Sequence, residues 1–166
     1  TAIVLADNEK CLYLGGTGVG GGTLMGLSKM LLNMDNIDNI EELANGGDLK
    51  NIDLRLSDIT KRDIIPGLPD HLTVSNFGKT SDIANKSDTA LGIINLVFET
   101  IGMISIFAAR QYDIKDIILT GNMTKVPQAK SIFQGLNEMF KINFIIPEMS
   151  QYGPVIGAAL CHYNDE

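Results

Sequence analysis

Basic residues are scarce in this chain: 13 Lys and Arg face 20 Asp and Glu across 166 residues, for a formal net charge of -7. A surface of that sign repels nucleic acid and anionic membranes, and Lys61-Arg62 with a few scattered lysines makes no basic patch to reverse it. Cysteine is nearly absent as well. Cys11 and Cys161 stand far apart and outside any C-x-x-C or His/Cys ligand spacing, the pattern of a reduced, cytoplasmic protein with no metal site. Long apolar runs are missing: the longest, IGMISIFAA from Ile101 to Ala109, falls far short of the ~20 residues of a membrane span. No signal-peptide pattern opens the chain, and no repeat, low-complexity tract or linker divides it. One domain, or one lobe of a larger protein, is therefore expected over 1–166. The start at Thr1, directly in strand-like sequence, fits a segment cut from something longer.

Glycine, by contrast, is plentiful, with 17 residues. The stretch GGTGVGGGT, Gly15 to Thr23, holds six of them in nine positions and runs straight into LMGLSKMLL. Glycine lets backbone N–H groups approach a ligand unobstructed, and a helix N-terminus adds partial positive charge. Together they favour an anion, most often phosphate. The alternative is a tight turn with close helix–sheet packing and no ligand.

Periodicity places these residues on elements. TAIVLAD (1–7) and CLYLG (11–15), joined by Asn8-Glu9-Lys10, predict a hairpin. Leu24, Leu27, Leu31 and Met34 predict one apolar face of a helix from about Val19 to Met34. Asp38 with Glu41 reads as a capping box for the short helix NIEELA, stopped at Asn45-Gly46-Gly47. IDLRLSDI (52–59) alternates as a strand or extended arm with one wet face, and IIPGLPDHLTVSNFGKT (64–80) reads as a loop. From Asp88 to Tyr112 apolar residues surround a long helix, which marks an interior position. The remainder reads strand (116–122), helix (Pro127 to about Phe140), strand (142–147) and helix (154–163), so the two strands should be parallel.

Three phosphate-binding schemes compete for the glycine loop. A Walker A loop needs Gly-Lys-Ser/Thr, and Gly22 is followed by Thr23 and Leu24, so that scheme fails. A dinucleotide G-x-G-x-x-G matches at Gly16, Gly18 and Gly21, but that fingerprint opens a β-α-β unit, whereas here a hairpin precedes it. The third scheme is hairpin, glycine loop and helix, then a strand ending in Thr120-Gly121-Asn122 that feeds a second helix. It describes one lobe of an actin-like, sugar-kinase-like ATPase. Ligands of α/β sheets sit at the carboxyl ends of strands, so both glycine-bearing turns are expected to face one nucleotide.

At this point the residues resemble a known family. LGGTGVGGGTLMGLSKMLL is similar to the glycine segment of type II pantothenate kinases, and the likeness continues through ELANGGDLKNIDL, IPGLP, TVSNFGK, ILTGN and QYGPVIGAAL. The resemblance implies the C-terminal lobe of an actin-like (ribonuclease H-like) ATPase fold, α/β, with a mixed sheet formed by a hairpin followed by β-α-β-α. It implies ATP-dependent phosphorylation of pantothenate to 4′-phosphopantothenate in coenzyme A biosynthesis, with Mg2+, in a cytoplasmic homodimer open to feedback by acyl-CoA. The nucleotide would be lined by Gly20, Gly21, Gly22, Thr23, Leu24 and Met25 and closed by Gly121 and Asn122. The family's catalytic carboxylate precedes the matched region, so this chain alone is expected to be inactive. Tyr13 stands where the family usually has an arginine that holds the pantothenate side, and a guanidinium is not replaced by a phenol. That departure supports an alternative, a non-catalytic nucleotide- or acyl-CoA-binding regulator of the same fold.

Other polar residues read as structural. Asp48 follows a helix stop and Asp53 falls on the polar face of the alternating segment, which assigns both to capping and hydrogen bonding. His71 and His162 have no second ligand at metal spacing. Asn95 and Glu99, four apart in an apolar helix, fit either a buried seam such as a dimer interface or satisfied core polars. Met25, Met30 and Met34 read as core filler.

Overall fold

The structure, a computed structural model, describes residues 1–7, 10–60 and 68–164. The turn residues 8 and 9, the pair Lys61-Arg62 and most of the IPGLP segment lie outside the described residues, as does the side chain of His162. The chain divides into two compact units, Thr1–Gly21 with Ile101–Glu166, and Gly22–Thr100.

In the first unit β1 (Ala2–Ala6) pairs antiparallel with β2 (Cys11–Gly16), the expected hairpin, with a register shift between Ile3 and Val4. Asp7 and Lys10 close it, through a backbone bond at 3.0 Å and Lys10 N–H donating to Asp7 Oδ1 at 2.7 Å. Further along, β5 (Asp116–Ile118) and β6 (Asn143–Ile145) pair in parallel, joined by α5 (Pro127–Phe140), as predicted. Proline opens α5, where the missing N–H costs nothing. The helix buries Ala129, Phe133 and Leu136. Phe133 meets Phe144 of β6 at a ring separation of 4.7 Å. The final helix, α6, is Gly153–Asn164.

The mixed sheet does not form among the described residues. There are three two-stranded sheets, β1-β2, β3-β4 and β5-β6. The strands are shorter than their apolar runs, because β5 stops at Ile118 and the chain turns at Gly121.

Helix α1 is Gly21–Leu32, and all but its first residue belongs to the second unit. Its buried face is Leu24, Ser28 and Leu32, while Leu31 is half-exposed and Met30 is 80% exposed. The predicted face was rotated because α1 is apolar on most of its circumference, and Met30 is not core filler. Helix α2 (Ile37–Ala44) is capped by Asn36, whose side chain accepts from Asp38 N and Asn39 N; Asp38 is not the cap, since a helix is capped one residue before its first turn.

The 52–59 segment also departs from expectation. Only Leu54–Arg55 is strand, β3, and Leu56–Ile59 is a helical turn, α3. β3 pairs with β4 (Thr73–Ser75), which lies within the predicted loop. Asp53 is fully buried rather than wet.

Helix α4 (Lys86–Gln111) runs from the second unit into the first, since the division falls between Thr100 and Ile101. It is the one helix among the described residues long and apolar enough to cross a membrane by length and composition. No single unbroken apolar run revealed that. Ile93, Ile94, Val97 and Ile106 are buried in the protein, and its polar residues Asp88 and Asn95 are hydrogen-bonded, so α4 serves as a core helix.

Candidate functional site

The glycine loop folds back on the first residue of the hairpin. Thr17 N–H donates to Thr1 O at 2.9 Å, and Thr1 Oγ1 donates to Val19 O at 2.8 Å. A Cβ at Gly20 would stand 2.9 Å from Thr1 Oγ1, and one at Gly16 would overlap Thr1 O. Close packing against backbone therefore requires glycine at 16, while at 20 the obstacle is a side-chain hydroxyl. Gly18 and Gly22 differ, because a Cβ at either would meet nothing within 4 Å.

Gly21 begins α1, whose first turn holds no acidic residue, so the positive end of the helix is not neutralised by its own side chains. A Cβ on Gly21 would lie 3.3 Å from both Cγ and Sδ of Met123. The first glycine of α1 thus lies against the turn that follows Thr120-Gly121-Asn122, the two places that sequence paired. Gly121 has φ 103°, a conformation a side chain would strain. Its N–H donates to Ser150 O at 2.8 Å, Thr124 Oγ1 donates to Gly121 O at 2.7 Å, and the Thr124 and Ser150 hydroxyls meet at 2.7 Å. These bonds fix the turn before any ligand arrives.

Of the remaining expected residues, Gly20 is buried, Gly22 and Asn122 are exposed, and Thr23 and Met25 are half-buried. Leu24 is fully buried, so only its backbone is available to a ligand. Sequence reasoning missed Met123, Thr124 and Ser150. No motif marks Ser150, and only its position beside Gly121 in space gives it a role. Tyr13 on β2 is 67% exposed, and His71 pairs with Asp70 at 3.5 Å on the surface.

In NGGD and NFGK, two further stretches of the resemblance, close packing requires the glycines at 47 and 78. A Cβ at Gly47 would overlap Ser87 O on α4, and one at Gly78 would lie 2.7 Å from the Ser75 side chain. Asp48 caps a single 3-10 turn, accepting from Lys50 N at 2.9 Å. Its own N–H donates to Asp88 at 2.7 Å. Asp88 and Asn85 cap α4 reciprocally, Asn85 N to Asp88 Oδ2 at 2.9 Å and Asp88 N to Asn85 Oδ1 at 3.1 Å. Burial disfavours the Asp88 charge, but donation from Asp48, Asn85 and Asn51 outweighs it and holds the pKa below the ordinary value. Asp53 accepts from Phe77 N at 2.8 Å and Asn95 Nδ2 at 3.0 Å. Asp48 and Asp53 thus carry the expected capping and bonding roles, and Asn95 is a satisfied core polar.

Residues 2–141, from the first strand to the end of α5, match the Fumble family. The chain belongs to that family. This Fumble chain is 38% identical over 125 residues to the type II pantothenate kinase of Bacillus thuringiensis subsp. konkukian (strain 97-27) and to that of Bacillus cereus (strain AH820). It is 34% identical over 123 residues to the type II pantothenate kinase of Staphylococcus epidermidis (strain ATCC 35984). The matches cover 74% and 70% of the Fumble chain respectively, and 45% of each relative. The chain thus spans less than half the length of these relatives. The family match stops before QYGPVIGAAL, so that part of the resemblance rests on the sequence likeness alone.

Proposed function

We propose that the protein to which this chain contributes phosphorylates pantothenate with ATP, giving 4′-phosphopantothenate for coenzyme A biosynthesis. In this reading residues 1–166 form the C-terminal, nucleotide-binding lobe of an actin-like ATPase. The identity to type II pantothenate kinases carries the reading, and the packing of Gly21 against Met123 supports it by drawing the two glycine turns together. Gly20 to Met25 and Gly121 with Asn122 would hold the nucleotide. Backbone N–H groups at the start of α1 would take an oxygen of the phosphate chain. Mg2+ would bind with the nucleotide's phosphates, which is how it commonly binds in phosphoryl-transfer sites. Phosphoryl transfer is chiefly positioning and charge neutralisation, which fits a lobe that supplies rigid turns and a helix terminus. A cytoplasmic homodimer with acyl-CoA feedback belongs to the same proposal.

Gly21→Glu would crowd the anion site, but it would also strike Met123. Gly22→Glu is the cleaner test, because its side chain starts in open space. It should weaken ATP binding about tenfold or more, the effect of roughly 1.4 kcal/mol of charge repulsion, with an unchanged melting temperature. Equal ATP affinity by calorimetric titration would end the nucleotide assignment.

Tyr13 in place of the usual arginine favours a second reading, a nucleotide- or acyl-CoA-binding regulator without catalysis. Pantothenate-dependent ADP release by the full-length protein, lost on Gly22→Glu, would eliminate it.

A further inference from the structure

Away from the glycine loop, the second unit gathers two carboxylates, one buried and one partly buried, on one amide. Asn95 Nδ2 donates to Asp53 Oδ2 at 3.0 Å and lies 3.3 Å from Glu99 Oε2. The same Glu99 oxygen accepts from Asn76 Nδ2 at 2.9 Å. Asp53 Oδ1 holds the N–H of Phe77, a residue in the left-handed region at φ 57°. Asn76 and Phe77 are thus fastened to α4 through Glu99 and Asp53. A hydrogen bond from Gly78 N to Ser75 O at 3.1 Å closes that corner.

The charged groups facing this pair are few. Arg55 on β3 is the positive neighbour of both acids, but its buried Nε has no hydrogen-bond partner. The 73–78 segment contributes no charge, only the Thr73 hydroxyl, the Asn76 amide and the Phe77 N–H. Lys79 is engaged with Asp58, and Asp88 with its own donors. Burial pushes the Asp53 carboxyl up, against the hydrogen bonds from Phe77 and Asn95 and the Arg55 charge. Burial likewise pushes Glu99 up, reinforced by the Asp53 charge and opposed by Asn76, Thr73 and Arg55.

We propose that Asp53, Asn95 and Glu99 form a proton-operated clamp on the Asn76–Phe77 corner. With one proton on the carboxyl pair, a single negative charge shares the Asn95 amide and the corner is seated on α4. When that proton leaves to water, two negative charges meet on one amide. Asp53, fully buried, stays in place; Glu99, partly buried, turns outward, Asn76 is released, and the freed corner lifts the Phe77 N–H off Asp53 Oδ1.

Hydrogen exchange on the whole chain, read by NMR and corrected for intrinsic rates, tests the clamp. From about pH 5 to about pH 9, a span that covers buried carboxyls, protection of the Phe77 N–H should fall about tenfold, the size of one lost hydrogen bond. The Asn76 side-chain amide should lose protection with it, and the Asp48 N–H, held by Asp88, should not. Glu99→Gln should keep Phe77 protected throughout, because its amide oxygen still accepts from Asn76 and Asn95 without a second charge. A flat profile in the unsubstituted chain, or the same fall in Glu99→Gln, overturns the proposal. So does an Asp48 N–H that opens in step with Phe77. Should Glu99→Gln fail to fold, the 13C titration of the Glu99 carboxyl decides alone: a midpoint above the ordinary carboxyl range supports the clamp, and an ordinary midpoint overturns it.

Discussion

Asp88 and Glu99 share helix α4 yet respond to acid in opposite senses. Asp88 has a lowered pKa, so its contribution to stability is present above the unfolded value of 3.8 and is lost as pH falls through the folded value. Glu99 has a raised pKa; the unfolded chain releases its proton first, and stability declines as pH rises above 4.5. Asp88→Asn removes one acceptor facing a backbone N–H. The expected cost at neutral pH is about 1 to 3 kcal/mol, typical of a buried donor left unpaired, with a shallower loss of stability in acid. Urea titrations across the pH range read both effects. No role was read for Asp88: two of its partners, Asp48 and Asn51, lie some 40 positions away, although the capping pair with Asn85, three residues before it, was local. Asp53 was assigned hydrogen bonding correctly and exposure wrongly, since alternation over eight residues does not reveal that the pattern breaks into a helical turn after Arg55.

At the scale of elements, strong local signals were legible and short strands were not. Pro127 started α5 where expected, and the hairpin stood out by its two apolar runs. β4 lay inside a segment rich in proline and glycine, where only pairing with β3 creates a strand. α1 was recognised as a helix but given the wrong buried face, because leucine and methionine recur on several sides. Gly102 on α4 had no signal at all. A Cβ there would overlap Leu136 Cδ1 of α5, so the glycine sets how closely the two helices approach. Gly102→Ala should destabilise by about 1 to 3 kcal/mol through overpacking. Leu136→Val in the same chain should recover part of that loss, and a double-mutant cycle by chemical denaturation measures the coupling.

For the molecule as a whole, the candidate site was legible as two glycine turns, and its supports were not. The glycine run and Thr120-Gly121-Asn122 are local in sequence, whereas Met123, Thr124 and Ser150 gain roles only through folding. α6 is the conspicuous surface. Val155, Ile156 and Leu160 are 63%, 45% and 57% exposed, and no charged residue lies between Gly153 and Cys161. Val155→Glu with Leu160→Lys should reduce aggregation and dye binding, leaving amide protection in α4 and α5 unchanged; light scattering with hydrogen exchange checks it. An apolar helix face of this kind associates with other molecules, so the solution behaviour of the polypeptide would be governed by how α6 is masked.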